Sequence, residues 1–571
     1  MALKLEYINS FLGFGDGNKS GEYFFSQNMR RVGKSLEPRW RMVKSADNST
    51  SSSMYLMDDI NWFAEREESG NTFIYAIDTG GDIFKTQDLQ DSWSKVSPVF
   101  TNAGKGNGLI VDQTSSQRVL FAQDKHLGMY DGVTWNSDWK DFLWDIDAEP
   151  RPLDTYKDWI VCGNSSTVAI LNVTDDSWNA EALTFPKGAK IVDLKSGRNA
   201  ILVGVNFQNE GALVLWDPET DKSLAPWIWL KGKIKSITKY KGIWIVSAGN
   251  EFLVTNGYQI VDTFRPPDVK TSDSTFGPSY PSGATSIKDL FLVNCGEDFQ
   301  TRRRKGIYIY DFVSRLWEFA TAHSEFFTTH SFKALFSSSN QAIYASYDYK
   351  VGVSRNCIGR LLSDSTGRSS GEEQTTEHAY VMSPKFGKSG NKKKAKGIVL
   401  DYGFSNLTRD YNVPNIDLLV SIYDYQRQLW AYGQTSSTST RQAEIHVDGT
   451  ASTARDNAEV GDQIMIGEGV NAGQSKYITE ITGEGTVEEK YVLDSNLDDL
   501  SETAITFNII PFKRVGKKTI DSRTIKNNRY YLPIKNSIVG KNFMVKVEMK
   551  GTTTTFRLDG LGLLYDEDDL T

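Results

Sequence analysis

Histidines, cysteines and carboxylates are the residue types in this chain that could do chemistry, and their spacing decides how far each can go. His126, His323, His330, His378 and His446 are scattered, with no HExxH and no His-x-His, so they form no zinc-type ligand set. Cys162, Cys295 and Cys357 are odd in number and far apart, and Cys162 and Cys295 stand inside apolar runs. They read as buried thiols, neither a CxxC site nor a disulfide framework. Gly13, Asn18, Lys19 and Ser20 are spaced like a phosphate-binding loop, but Asn18 replaces the second glycine. An aromatic strand follows where such a loop needs a helix N-terminus. Asp494, Asn496 and Asp498 begin like a calcium loop, yet Asp499 stands where glycine is needed and Ile505 where a bidentate Glu is needed. No nucleophile elbow is visible, and no carboxylate pair stands out for glycoside hydrolysis. The expectation is a protein without catalysis, cofactor or metal.

Charge patterning gives a second set of residues. Lys388, Lys392, Lys393, Lys394 and Lys396 form a lysine-rich turn between two strands. Lys513, Arg514, Lys517 and Lys518 form a second basic segment. In a chain of net charge −8, these cations are expected to contact a neighbouring subunit. The acidic stretches Asp494–Glu502 and Asp566–Asp569 of the next copy are the expected partners. The run Arg302, Arg303, Arg304 reads as an exposed polar loop. The acidic end, Asp566 to Thr571, reads as a solvated tail, or as a lining that keeps a passing polyanion from sticking.

These residues have to be positioned by strands. Seven segments repeat one outline: a β-branched and aromatic run, a Gly or Asn turn, a second such run, then often Asp and Trp or Tyr. They start at Phe73, Val119, Trp159, Ile201, Ile243, Leu290 and Ile343. The starts lie roughly 40 to 52 residues apart, a spacing that fits four-stranded propeller blades. Period-two alternation makes each unit a hairpin with one apolar face, which it cannot bury alone. Packing such units around an axis buries both faces and leaves short edges. The fold expected is all-β: a six- or seven-bladed β-propeller over residues 61–372. Aromatic residues at 12% and few amphipathic helical stretches agree with that class.

Around the propeller stand other units. Residues 1–60 form an N-terminal arm, and 363–378 have linker composition. A β-sandwich platform is read in two parts, 373–438 and 511–571. Between them, residues 439–510 are short strands punctuated by glycine, expected to form a small inserted SH3-like or OB-like barrel. No stretch approaches 18 apolar residues, so no membrane-spanning helix is expected. The start lacks a signal-peptide pattern, which fits synthesis and folding in a reducing cytoplasm.

Two resemblances add to this. Thr86, Asp88, Ser92 and Trp93 resemble the Asp-box turn of sialidase-type propellers, with Gln90 in place of glycine. In that family the box holds a blade hairpin. Gly13, Gly15 and Gly17, followed by Asn28, Arg30, Gly33, Lys34 and Arg39, resemble the opening of tailed-bacteriophage tail hub or nozzle proteins, also called tail stabilisation proteins. Trp40 and Arg41 stand where that family often has glycine. Lys513, Arg514, Val515 and Gly516, ahead of the strands FMVKV and FRLDGL, resemble its ending. The resemblance covers the two ends and the overall plan but not the barrel. It implies a virion structural protein made in the bacterial host cytoplasm, with a propeller and a hexameric ring around a DNA channel. The partners implied are itself, adaptor and fibre proteins, and DNA as passing cargo. The alternative is a carbohydrate- or receptor-binding propeller adhesin. A glycosidase-like propeller is the third class.

Overall fold

The computed structural model describes residues 3–8, 11, 13–14, 22–23, 25–27, 29–32, 34–38 and 43–47 of the N-terminal segment. It then describes 57–362 apart from 91, 99–105, 113–116, 124, 145–149, 267–276, 279, 296–305, 321–331 and 352. Beyond these it describes 379–383, 386, 392–404, 416–423, 431–441, 444–447, 458–466, 475–483, 489–495, 506–510, 512–520, 528–540, 542–550 and 556–567. Among the described residues the chain is all-β. The one helical turn is Pro281–Gly283, and no helix is long and apolar enough to cross a membrane.

Residues 60–362 fold as successive antiparallel sheets, six with four strands and one with five. The repeats found in the sequence start on the second strands, which include Asn71–Asp78, Val119–Gln123, Trp159–Asn164 and Ile201–Asn206. The remaining three are Ile243–Ala248, Leu290–Cys295 and Ala342–Val351. These strands are the most apolar of each sheet because both their faces are covered. Two-residue turns join first to second strands in the first, third, fifth and sixth sheets, and Lys157, Lys241 and Lys288 take φ of 52°, 44° and 52° in the last three. Positive φ suits the twist of two-residue hairpins.

The first strands follow each other in contact around a closed cycle. They are Ile60–Glu68, Gly106–Val111, Leu153–Tyr156, Lys190–Ser196, Ile234–Tyr240, Ala284–Ile287 and Phe332–Ser337. The last of them touches the first. The seventh sheet takes its outer strand from the start of the chain: Val43–Asp47 pairs with Val353–Leu362. Apolar clusters lie between neighbouring sheets, such as Phe63, Trp93 and Tyr344 between the first and seventh.

Two further sheets combine both ends of the chain. The larger runs in the order Asn528–Gly540, Lys393–Phe404, Phe556–Glu567, Ser35–Pro38, Met29–Val32, with Leu3–Ile8 also paired to Phe556–Glu567. The smaller runs Phe25–Gln27, Ala379–Met382, Met544–Lys550, Ile416–Tyr423, Lys513–Ile520. Their inner residues share one core, including Leu400, Leu418, Val547 and Leu561. That core continues into Phe252, Phe291 and Trp317, so the end sheets rest against the fifth and sixth repeat sheets. Strands between Ala431 and Ile510 close into a barrel around Ile464, Ile478, Tyr491 and Phe507. The first barrel strand, Ala431–Arg441, starts ahead of residue 439.

Candidate functional site

The lysine-rich stretch does not stand apart as a hairpin tip. Lys393 opens the strand Lys393–Phe404, which lies between two partners in the larger end sheet. Period-two alternation therefore puts Lys393 and Ala395 inside, at 0% and 1% exposure, while Lys394 and Lys396 are half-buried on the other face. Lys392 is exposed, and Lys396 pairs with Asp566 at 2.8 Å. Lys388 lies outside the described residues, as do residues 363–378, Arg302–Arg304, His323, His330 and His378. Asn18, Lys19, Ser20, Asn496, Asp498, Asp499 and Ile505 lie outside them too, with Gly15, Gly17, Asn28, Gly33, Arg39, Trp40 and Arg41.

The second basic segment is the strand Lys513–Ile520. Lys513 pairs with Glu459 at 2.7 Å, Arg514 with Asp494 at 3.7 Å, and Lys517 with Asp417 at 2.6 Å. The Lys518 ammonium lies 4.8 Å from the Tyr530 ring centre. Burial works to raise the Asp417 carboxyl, but Lys517 and Thr519 outweigh it and hold it below its ordinary value. Asp494 and Asp566, expected to meet these cations from a neighbouring copy, pair instead with Arg514 and Lys396 of the same chain. Tertiary folding brings them together; sequence separation hid it.

Lys513–Ile520 ends the smaller sheet and Asn528–Gly540 ends the larger one. Among the described residues neither has a strand on its outer side, so each presents unpaired N–H and C=O groups. Between them opens a groove of about 720 Å³. Val515, Leu532, Ile534 and Ile538 are its apolar lining, and Lys513, Arg514, Lys517 and Lys535 its cations. Gly516 lets the two edges approach, since a Cβ there would sit 2.6 Å from Leu532 Cδ1. Tyr531 and Val539 on the same edge strand are 46% exposed each. Leu532, Lys535 and Ile538 carried no sequence signal of their own.

A second cavity, of about 400 Å³, lies where the first strands meet. Every one of them contributes, as Glu65, Val111, Asp154, Lys195, Lys239, Thr285 and Phe336 mark in chain order. Lys239 Nζ is 2.7 Å from Asp154 Oδ2 and donates to Ser196 Oγ at 2.7 Å. Lys195 Nζ donates to Asp193 Oδ1 at 3.0 Å. Asp154 also accepts from the Ser196 N–H at 2.5 Å, and Asp193 from Ile237 N–H at 2.6 Å, so each carboxylate ties one sheet to the next. Burial opposes the Lys195 charge, but Asp193 and Asp154 outweigh it and hold the ammonium above its ordinary value.

The box residues form a clasp. Asp88 is buried and accepts from Tyr344 Oη at 2.7 Å and Asn340 Nδ2 at 3.0 Å, both on the seventh-sheet side. Trp93 Nε1 donates to Ser45 Oγ at 2.8 Å, on the N-terminal strand. Thr86 Oγ1 makes two long bonds, to the Gln87 and Gln90 carbonyls at 3.4 Å each, and Ser92 is exposed. Asp88 and Trp93 thus join first sheet, last sheet and chain start. Tyr344, Asn340 and Ser45 were not readable as their partners. Cys162 is a buried free thiol, and burial pushes it up; Cys357 is buried as well. No group of three or more His, Cys, Asp or Glu residues suited to a metal occurs among the described residues.

No protein-family model matches the chain, and no curated protein is similar to it. Among solved structures, the chain is similar to the computationally designed Ika8 protein at 12% identity and a TM-score of 0.37, covering 53% of this chain and 96% of that one. It is similar to YCF48 bound to D1 peptide at 9% identity and a TM-score of 0.40, covering 58% of this chain and 98% of that one. At such scores the architecture rests on the strand pairing alone.

Proposed function

We propose that this chain is a structural subunit of a tailed-phage tail, acting in a hub or nozzle ring through which DNA passes. In this reading the seven repeat sheets are blades of one propeller. The strand Val43–Asp47 closes it, as the outer strand of the seventh blade. The two end sheets are a sandwich platform built from strands within Leu3–Pro38, Ala379–Tyr423 and Lys513–Glu567, and the barrel is an insertion docked on it. Six copies form the ring through their platforms, and adaptor and fibre proteins are its neighbours in the virion.

The observation that carries this reading is the groove between the two platform edges. Closed propellers satisfy their own edges, whereas Lys513–Ile520 and Asn528–Gly540 leave theirs open, side by side over an apolar lining. Three of the groove's four cations already hold Glu459, Asp494 and Asp417, so apolar burial and edge pairing would supply the contact and Lys535 would meet an acid of the next copy. The sequence resemblance at both chain ends points the same way, since both ends build this platform.

The test is the mass of the purified chain by sedimentation, with electron micrographs of the same sample. Ring particles are expected for wild type. Lys535 holds no ion pair among the described residues, so Lys535→Glu perturbs the groove without breaking an internal pair. Exposed pairs contribute about 0 to 1 kcal/mol each, so this variant weakens rings modestly and mainly at low salt. Lys513→Glu/Lys517→Glu/Lys535→Glu also breaks the half-exposed internal pairs to Glu459 and Asp417, which contribute little to the fold, and leaves mostly monomer with unchanged circular dichroism. Wild type that stays monomeric at every concentration overturns the ring, and triple-variant rings as stable as wild type overturn the groove's part in it.

A further inference from the structure

The cavity on the axis of the repeat sheets has no part in ring assembly, and its chemistry points elsewhere. At about 400 Å³ it falls in the size range of small-molecule sites. Two ammonium groups line it, and each already touches a carboxylate: Lys239 on Asp154 and Lys195 on Asp193. The carboxylates explain themselves structurally, because the backbone amides of Ser196 and Ile237 on the next sheets need acceptors. Lys195 is the counter-ion of the buried Asp193, whereas Lys239 keeps 44% of its side chain exposed beside Asp154, so its ammonium stays within reach of a ligand.

The charge balance narrows the ligand. Each cation on the wall is neutralised by the acid it touches, and Glu65 adds one more negative charge. A free anion therefore meets no net attraction. A carboxylate and an ammonium 2.7 Å apart present an acceptor beside a donor. Two neighbouring hydroxyls match that pattern, one donating to the acid and one accepting from the amine. Glu65 Oε2 accepts from the Ser339 N–H at 2.7 Å, which fixes the carboxylate and leaves its other oxygen for a third hydroxyl. The Trp62 indole N–H and the Thr238 hydroxyl are buried at the wall without a hydrogen-bond partner among the described residues. Trp62, Phe63 and Phe336 supply aromatic wall against which a C–H face can lie.

We propose that this axial cavity binds a neutral sugar ring. The Asp154–Lys239 pair holds two adjacent hydroxyls, Glu65 holds a third, and the aromatic wall takes the apolar face. The site stands independently of ring assembly, because none of its residues lies on the end sheets.

Saturation-transfer NMR on the intact chain tests this, with glucose, galactose, mannose and N-acetylglucosamine as probes and acetate and phosphate as charged controls. Transfer to at least one sugar is expected, and none to the anions. Lys239→Met and Glu65→Gln each weaken the sugar by about tenfold, the loss of one charge-assisted hydrogen bond. Lys535→Glu, in the groove, leaves it unchanged. Should Lys239→Met fail to fold by circular dichroism, Glu65→Gln decides alone, because its amide oxygen can still accept from the Ser339 N–H. The proposal is overturned if none of the four sugars shows transfer, if acetate or phosphate binds and they do not, or if sugar binding survives in the folded cavity variants.

Discussion

Lys546→Met would test how the barrel is held to the platform. Lys546, Glu548 and Gln463 are 1%, 4% and 1% exposed. Lys546 Nζ donates to Gln463 Oε1 at 2.6 Å and to Glu548 Oε2 at 3.2 Å, and Gln463 Nε2 donates to the same Glu548 oxygen at 3.1 Å. Gln463 is on a barrel strand, the other two on the smaller end sheet. Methionine keeps the length but removes the ammonium beside a buried carboxylate. Breaking a buried pair in this way costs about 3 to 5 kcal/mol. A chain of several units does not unfold in one step, so the readout should be local. Hydrogen exchange by mass spectrometry on peptides spanning Met544–Lys550 and Gln463–Ile466 should speed up by about 10²- to 10⁴-fold. Peptides from Asn71–Asp78 should not change. Replacing all three residues, as Lys546→Met/Glu548→Leu/Gln463→Leu, should recover most of the protection, because apolar substitution of a whole buried network is often neutral. Wild-type exchange in Lys546→Met would refute the claim that this network couples the two units. So would a triple variant as damaged as the single one. The network also predicts that cutting out the barrel exposes Lys546 and Glu548 to water, where the charges are solvated and the platform can persist.

Two further outcomes follow from the repeat sheets. Tyr344→Phe removes the hydroxyl that donates to Asp88 at 2.7 Å and accepts from the Leu89 N–H at 3.0 Å, while keeping the ring against Trp93. Hydrogen exchange in peptides spanning Ala342–Val351 should show about 2 kcal/mol lost at the junction of first and last sheets; a loss under about 0.5 kcal/mol would count against the clasp. Asp78 is buried, and burial pushes its carboxyl up to about 7 despite bonds from the Asp58 and Asp82 amides. A raised folded value means the stability it contributes is present below about pH 4 and is lost as pH rises through about 7. The gap from 3.8 to about 7 corresponds to about 4 kcal/mol. Thermal shift against pH should show that slope in wild type, and Asp78→Asn should flatten it; an unchanged slope in Asp78→Asn would assign the effect to another group.

The sequence by itself determined the all-β class and the places where the repeats begin. Each start falls on a second strand because such strands are apolar on both faces and bounded by tight turns, a local pattern that period-two reading detects. The glycine-punctuated stretch before residue 511 likewise carried its barrel in local turns and alternation. What closes the cycle was not local. Val43–Asp47 is short and mostly polar, and it joins Val353–Leu362 through backbone groups that carry no residue signature. Lys393 was expected at a subunit contact because composition was weighed over register; in a central strand the alternation alone sends it inside. The axial cavity and the edge groove are tertiary in origin. Each gathers residues from strands far apart in the chain, and neither spacing nor composition marks them until backbone hydrogen bonds fix which strands lie side by side.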